Sequence, residues 1–261
     1  MPVEQGKTTL KKSGLTISYY GELDLAKTPL LFIHGSGSDG LIWYYQLTGL
    51  SDHFSPVAVD LPGHGNSAGV ASVKISLYRD CIKEFTESLD FPPFVIIGHS
   101  LGGAIALAYS LQYPDDLKGL ILVSTGARLR VAERFLETLR QGKHVPEMYK
   151  YLYAPVADKE LVEKGKEIIS TVSPGVFHAD LTACNDFDVM EQIQNIRVPA
   201  LVLCGDQDLM TPPKYSRFLA GKIPGAEMEI IPGCGHLPML EKSMEVNQEI
   251  LRFMKNMKSK V

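Results

Sequence analysis

Apolar positions along this chain keep two rhythms. Short apolar or alternating runs bounded by turn residues recur at 15–20, 30–34, 56–60, 94–98, 117–124, 200–205 and 228–231, and they predict strands. Between several of them the apolar residues return with a helical period, at 75–89, 101–112, 213–222 and 241–257. Strand and helix in repetition require crossover connections. The expected fold is therefore α/β, a mostly parallel, doubly wound sheet covered by helices on both faces. The first strands precede the alternation and suit an antiparallel edge.

One stretch breaks this rhythm. Residues 128–194 offer helical patterns, such as 131–140 and 159–169, separated by Gly142, Pro146, Pro155 and Pro174, and no convincing strand. The expected division is a core of residues 1–127 and 195–261, with 128–194 inserted as a helical cap at the carboxyl edge of the sheet, where open parallel sheets bind ligands. Within that segment Met148, Tyr149, Tyr151, Leu152 and Tyr153 read first as a packing stripe and second as the lining of an acyl pocket. Arg128 and Arg130 read first as solvated arginines and second as a holder for a substrate carboxylate. Residues 255–261 read as a frayed end.

Composition narrows the partners. The chain has 261 residues, 45% of them hydrophobic, enough for one large core. A formal net charge of −4 gives no basic stripe to attract phosphates, which argues against nucleic acid as a partner. The first ten residues are polar where a secretory signal needs an apolar run, and no stretch approaches the ~18 apolar residues that cross a bilayer. These features predict a cytoplasmic protein without a membrane span; a homo-oligomer is neither required nor forbidden. Cys81, Cys184, Cys204 and Cys234 are far apart and lack zinc-ligand spacing, so they read as free thiols.

The strongest chemical signal is the stretch from Phe94 to Ala108, an apolar strand that turns through Gly98-His-Ser-Leu-Gly into an alanine-rich helix. A G-x-S-x-G sequence in that context is a nucleophile elbow, with Ser100 projected above the sheet and the backbone N–H of Leu101 at the helix start beside it. A serine hydroxyl needs a base to take its proton. Of the seven histidines, His236 lies in the loop Pro232-Gly-Cys-Gly-His236, after the last strand and before the last helix, which is again the carboxyl edge. His99 reads as a packing residue beneath the site, and the Asp60-Leu-Pro-Gly-His64-Gly loop reads first as architectural and second as placing His64 at the border of the pocket. The base needs a carboxylate on its other nitrogen. The loop Gly205-Asp-Gln-Asp208 offers two, and spacing leans toward Asp208, with Asp206 organising the loop through backbone bonds.

The order Ser100, Asp208, His236 is the one found in α/β-hydrolases. From His34-Gly-Ser-Gly, through Asp60-Leu-Pro-Gly-His-Gly-Asn-Ser and Gly98-His-Ser-Leu-Gly-Gly, to Gly205-Asp-Gln-Asp and Gly235-His236, the sequence resembles the α/β-hydrolase superfamily over nearly all of the chain outside 128–194. The resemblance implies that Asp208 is the acid and that the backbone N–H of Ser36 joins that of Leu101 in an oxyanion hole. It implies acyl transfer through an acyl-enzyme on a small ester, with no metal or organic cofactor. The same triad in other members cleaves thioesters, enol-lactones or carbon–carbon bonds, and the fold also serves ligand receptors and lyases; these alternatives stay open at the level of motifs.

Overall fold

A computed structural model describes residues 3–258. Eight strands, β1 (Gln5–Thr9), β2 (Thr16–Tyr20), β3 (Pro29–Ile33), β4 (Ser55–Val59), β5 (Phe94–His99), β6 (Leu117–Val123), β7 (Ala200–Gly205) and β8 (Glu227–Ile231), form one sheet in the order β1-β2-β4-β3-β5-β6-β7-β8. The pairs β1/β2 and β2/β4 are antiparallel and all others are parallel, so the polar edge precedes a parallel body, as the alternation predicts. The β1 strand itself has no apolar side chain in QGKTT and alternates only between exposed and half-buried positions, so periodicity did not reveal it. The central strands are buried at every position because helices cover both faces, and they read as continuous apolar runs.

The helices are α1 (Tyr44–Gly49), α2 (Ile75–Ser88), α3 (Leu101–Gln112), α4 (Glu133–Arg140), α5 (Lys159–Thr171), α6 (Pro174–Asp186), α7 (Pro213–Lys222), α8 (Pro238–Glu241) and α9 (Ser243–Lys258). Strand residues such as Leu31, Ile33, Val57, Ile96 and Leu122 pack against α2, α3 and α7. Their neighbours Leu30, Phe32, Ala58, Ile97 and Val123 face α1 and α9. On α2, Ile75, Tyr78, Ile82 and Phe85 fall on one face at helical spacing and are buried, each contributing roughly 1.5–3 kcal/mol. The expected helix at 241–257 is two: Lys242, outside the helical region (φ −140°, ψ 50°), separates α8 from α9. The end expected to fray at 255–261 lies in part outside the described residues, and α9 continues to Lys258.

Between β6 and β7 stand α4, α5 and α6, with an isolated bridge Arg128–Asp188 instead of a strand. Asp158 caps α5 by accepting from the N–H groups of Glu160 and Leu161, and Ser173 caps α6 ahead of Pro174, a placement that suits proline. Leu139, Val145, Met148, Phe177 and Leu181 form a separate apolar cluster in this segment. Strand order reverses between β3 and β5, and the loops after β3, β5, β7 and β8 all leave the sheet at its carboxyl edge, where the expected chemistry lies. Among the described residues no helix is long and apolar enough to cross a membrane.

Candidate active site

Ser100 stands between β5 and α3 with φ 54° and ψ −114°, a conformation few non-glycine residues adopt. The strand-to-helix reversal forces it. A Cβ at Gly98 would run into the backbone of Gly102, and one at Gly102 into the carbonyl oxygens of Ile33 and His34, which explains glycine on both sides of the serine. The turn is fixed by the Ser100 N–H donating to the Val123 carbonyl (3.0 Å) and by the Thr125 hydroxyl donating to the Ser100 carbonyl (2.8 Å). The side chain is half-buried.

His236 and Asp208 meet directly: His236 Nδ1 lies 2.9 Å from Asp208 Oδ2 and 3.1 Å from Oδ1, with both side chains buried. Three more contacts hold that carboxylate. Oδ1 accepts from the N–H groups of Met210 (2.9 Å) and Thr211 (2.8 Å), and Oδ2 from the Thr211 hydroxyl (2.8 Å), which also lies 3.3 Å from His236 Nδ1. Burial pushes the Asp208 carboxyl up, but the neighbouring His236 and the Thr211 donors outweigh it and hold the group below the ordinary carboxylate range. Asp206 is exposed and accepts instead from the Cys234 N–H (3.2 Å), a loop-organising contact.

His99 lies beneath this pair. Its Nε2 donates to the carbonyl of His236 (2.9 Å), and the two rings are 4.7 Å apart, tying the elbow to the histidine loop. Burial, with His236 beside it, drives its pKa down to about 3, so it is a neutral strut. Among the described residues no hydrogen bond joins the Ser100 hydroxyl to His236; in free enzymes that contact often tightens only when substrate binds.

After β3, the His34 ring is buried and neutral, its pKa lowered by burial and by neighbouring His64. His34 Nε2 accepts from the Leu61 N–H (3.0 Å), so Nδ1 carries the proton and donates to the Gly35 carbonyl (2.8 Å), which also accepts from the Ser38 N–H (3.3 Å). Among the described residues neither the Ser36 N–H nor the Leu101 N–H is engaged in a hydrogen bond. His64 is 4% exposed and points away from open space, onto Asp180 of α6, which sequence reading missed. Thr211 and Glu241 were missed too. The first sits three residues after Asp208, at the spacing of a local side-chain cap. Glu241 accepts from the N–H groups of Gly235 (3.0 Å), six residues before it, and of Ala154 (2.9 Å), 87 residues before it, a separation that no local pattern encodes.

The segment between β6 and β7 touches the histidine loop closely. The His236 N–H donates to the Leu152 carbonyl (2.8 Å), and a Cβ on Gly235 would lie 2.6 Å from Ala154 N. Of the five residues read as stripe or pocket, Met148 lies in the apolar cluster with Leu139 and Phe177, and Tyr153 packs into the core on the α9 face. Tyr149 lies under Lys166 Nζ, and Tyr151 against Phe135. Arg128 and Arg130 are exposed and paired with Asp188 at 3.8 and 3.7 Å. All four cysteines are free, and burial pushes the Cys234 thiol far up, which keeps it protonated.

Comparison with known proteins agrees with this arrangement of elements. The model of the family described as "Alpha/beta hydrolase family" matches residues 30–249. A pimeloyl-[acyl-carrier protein] methyl ester esterase of Nitrosospira multiformis is 26% identical, over 91% of this chain and 98% of its own. A thermophilic esterase of solved structure is 33% identical, with a TM-score of 0.85, covering 98% of this chain and 99% of its own. A thermophilic esterase from Thermogutta terrifontis, solved with malate bound, is 27% identical with a TM-score of 0.87, covering 97% and 99%. The chain belongs to the alpha/beta hydrolase family.

Proposed function

We propose that this member of the alpha/beta hydrolase family is a serine esterase that cleaves a small carboxylic ester through an acyl-enzyme on Ser100. The observation that carries the reading is the buried Asp208–His236 contact at 2.9 Å, set at the same sheet edge as a serine held at φ 54°. The relatives described as esterases support a carboxylic ester as the substrate class.

Asp208 accepts only, so His236 carries a proton on Nδ1 and leaves Nε2 free as base. Ser100 Oγ bonds to the ester carbonyl carbon while Nε2 takes its proton, and the carbonyl electron pair moves onto oxygen. The N–H groups of Ser36 and Leu101 receive that oxyanion. Both are unengaged, and the second opens α3, whose dipole favours negative charge. Collapse expels the alkoxide, which leaves with the His236 proton as an alcohol. Water, deprotonated by His236, then attacks the acyl carbon and releases the acid and Ser100.

In this reading residues 128–194 are the cap over the site. Support comes from the contacts of Leu152 and Asp180 with the loops carrying His236 and Ser36, and of Ala154 with Glu241, which also holds the Gly235 N–H. The four free cysteines suit the reducing cytoplasm.

A p-nitrophenyl ester series from acetate to decanoate, run on wild type and Ser100→Ala with fluorophosphonate labelling, tests the proposal. Turnover and labelling are both expected to vanish in Ser100→Ala while its melting temperature stays close to wild type. Ester turnover that survives in a folded Ser100→Ala protein overturns it.

A further inference from the structure

Helix α6 lays three residues, Phe177, Asp180 and Cys184, along the loop that follows β3; their spacing of three and four puts them on one helix face. The Phe177 ring occupies the space beside Gly37, where a Cβ would collide with it, and the Cys184 thiol interacts with the Ser36 hydroxyl. Asp180 is fully buried. Its Oδ2 accepts from the Gly37 N–H (3.0 Å) and from His64 Nε2 (2.9 Å), and its Oδ1 from the Tyr78 hydroxyl (2.6 Å).

Peptide planarity converts these bonds into the aim of one N–H group. The Gly35 carbonyl and the Ser36 N–H belong to the same plane and point in opposite directions, so the two donors on Gly35 O fix where the Ser36 N–H points. The next plane, from Ser36 to Gly37, is held by Asp180 through the Gly37 N–H. With that bond gone, Gly37 (φ 62°) is free to rotate, and Ser38, the next residue, loses the position from which its N–H holds the Gly35 carbonyl and with it the aim of the Ser36 N–H.

A carboxylate this near a developing oxyanion would oppose it unless its charge were matched. His64 provides the match. Its Nδ1 faces the Pro62 carbonyl (3.1 Å) and its Nε2 faces Asp180, both acceptors only, so the ring carries two protons and a positive charge.

We propose that Asp180, neutralised by His64, is a positioning residue for the oxyanion hole: it holds the loop so that the Ser36 N–H meets the substrate oxygen. The proposal rests on the esterase reading above. Misaiming one oxyanion donor costs up to the ~10²–10³ in kcat seen when a donor is removed. Asp180→Ala, which leaves the Gly37 N–H without its acceptor, is therefore expected to lower kcat at least ~20-fold with KM within about threefold. It should weaken inhibition by a trifluoromethyl ketone, which adds to Ser100 and forms the oxyanion, by the same factor. A residue with a merely structural role would lower the melting temperature and leave both ratios unchanged. A folded Asp180→Ala protein with kcat and ketone inhibition within about threefold of wild type overturns the proposal.

Should Asp180→Ala fail to fold, Tyr78→Phe removes the bond to Oδ1 together with the acceptor of the Ser72 N–H. It is expected to lower kcat and ketone affinity together by about three- to fivefold, and no change in either overturns the proposal. Wild-type turnover tests the esterase reading separately. Where wild type turns over no ester, the variant-to-wild-type ratio is read from the rate of fluorophosphonate labelling at Ser100.

Discussion

Replacing Asp208 by asparagine tests the site through a single proton. The N–H groups of Met210 and Thr211 both donate to Oδ1, at 2.9 and 2.8 Å, so an asparagine at 208 keeps its oxygen there. Its amide nitrogen then stands in the place of Oδ2, 2.9 Å from His236 Nδ1. An amide nitrogen donates, so Nδ1 must accept, and the imidazole proton moves to Nε2, the nitrogen that has to take the proton of Ser100. Turning the amide over would set two backbone N–H groups against an NH2 group. At about 1–3 kcal/mol for each buried donor left unsatisfied, that costs about 2–6 kcal/mol. The countercharge for the imidazolium is lost as well. The expected fall in kcat is on the order of 10³–10⁴, or about 4–5.5 kcal/mol at 1.36 kcal/mol per tenfold. Asp206→Asn is the control: that carboxylate is exposed, and asparagine retains an acceptor for the Cys234 N–H, so kcat should stay within about threefold. The assay is p-nitrophenyl acetate hydrolysis at saturating substrate, with melting temperatures taken on both variants. A loss of less than tenfold in Asp208→Asn, or equal losses in the two variants, would refute the argument.

Two further outcomes concern stability. Gly235→Ala would drive a methyl group into the backbone of residues 152–154, which cannot turn aside as a side chain would, and a loss of roughly 1–3 kcal/mol in urea unfolding is expected; an unchanged midpoint would contradict the close approach. Burial opposes the charge on His64, but the bond to Asp180 and its charge outweigh this and raise the pKa above the ordinary histidine value, with Asp60 adding to the rise. Asp39, His34 and Tyr78 face the same ring or its field. A raised folded-state pKa means stability that is fully present below about pH 6.5 and lost as pH rises through the folded value. The urea midpoint of wild type should therefore fall more steeply above pH 6.5 than that of His64→Gln, and parallel curves would remove His64 from the account.

What the chain reveals by itself follows the range of the interactions. Ser100, Asp208 and His236 stand in loops whose local chemistry demands particular residues: glycines where strand and helix touch, and carboxylates at a strand end. The parallel strands announce themselves because burial on both faces leaves continuous apolar runs. The edge strand β1 has no apolar side chain to signal it. Helix α6 carries Ser173 and Pro174, a usable start signal, but its apolar and polar residues are spread around the axis, and the helical period is faint. Asp180 was out of reach because the groups it serves lie 143 and 116 residues away, and a lone aspartate on a helix looks the same whether it meets water or a buried histidine.

Three of the polar links that join the segment between β6 and β7 to the rest of the site run to its loops and to α8: Leu152 carbonyl to His236 N–H, Ala154 N–H to Glu241, and Asp180 to Gly37 N–H. This limits how the protein can be re-engineered or diversify. Side chains of its private apolar cluster, such as Val145 and Leu181, are free to drift as long as their volumes compensate. A chimera that imports this whole segment from a relative, however well it packs, inherits a misaligned site unless the graft reproduces those three links in place.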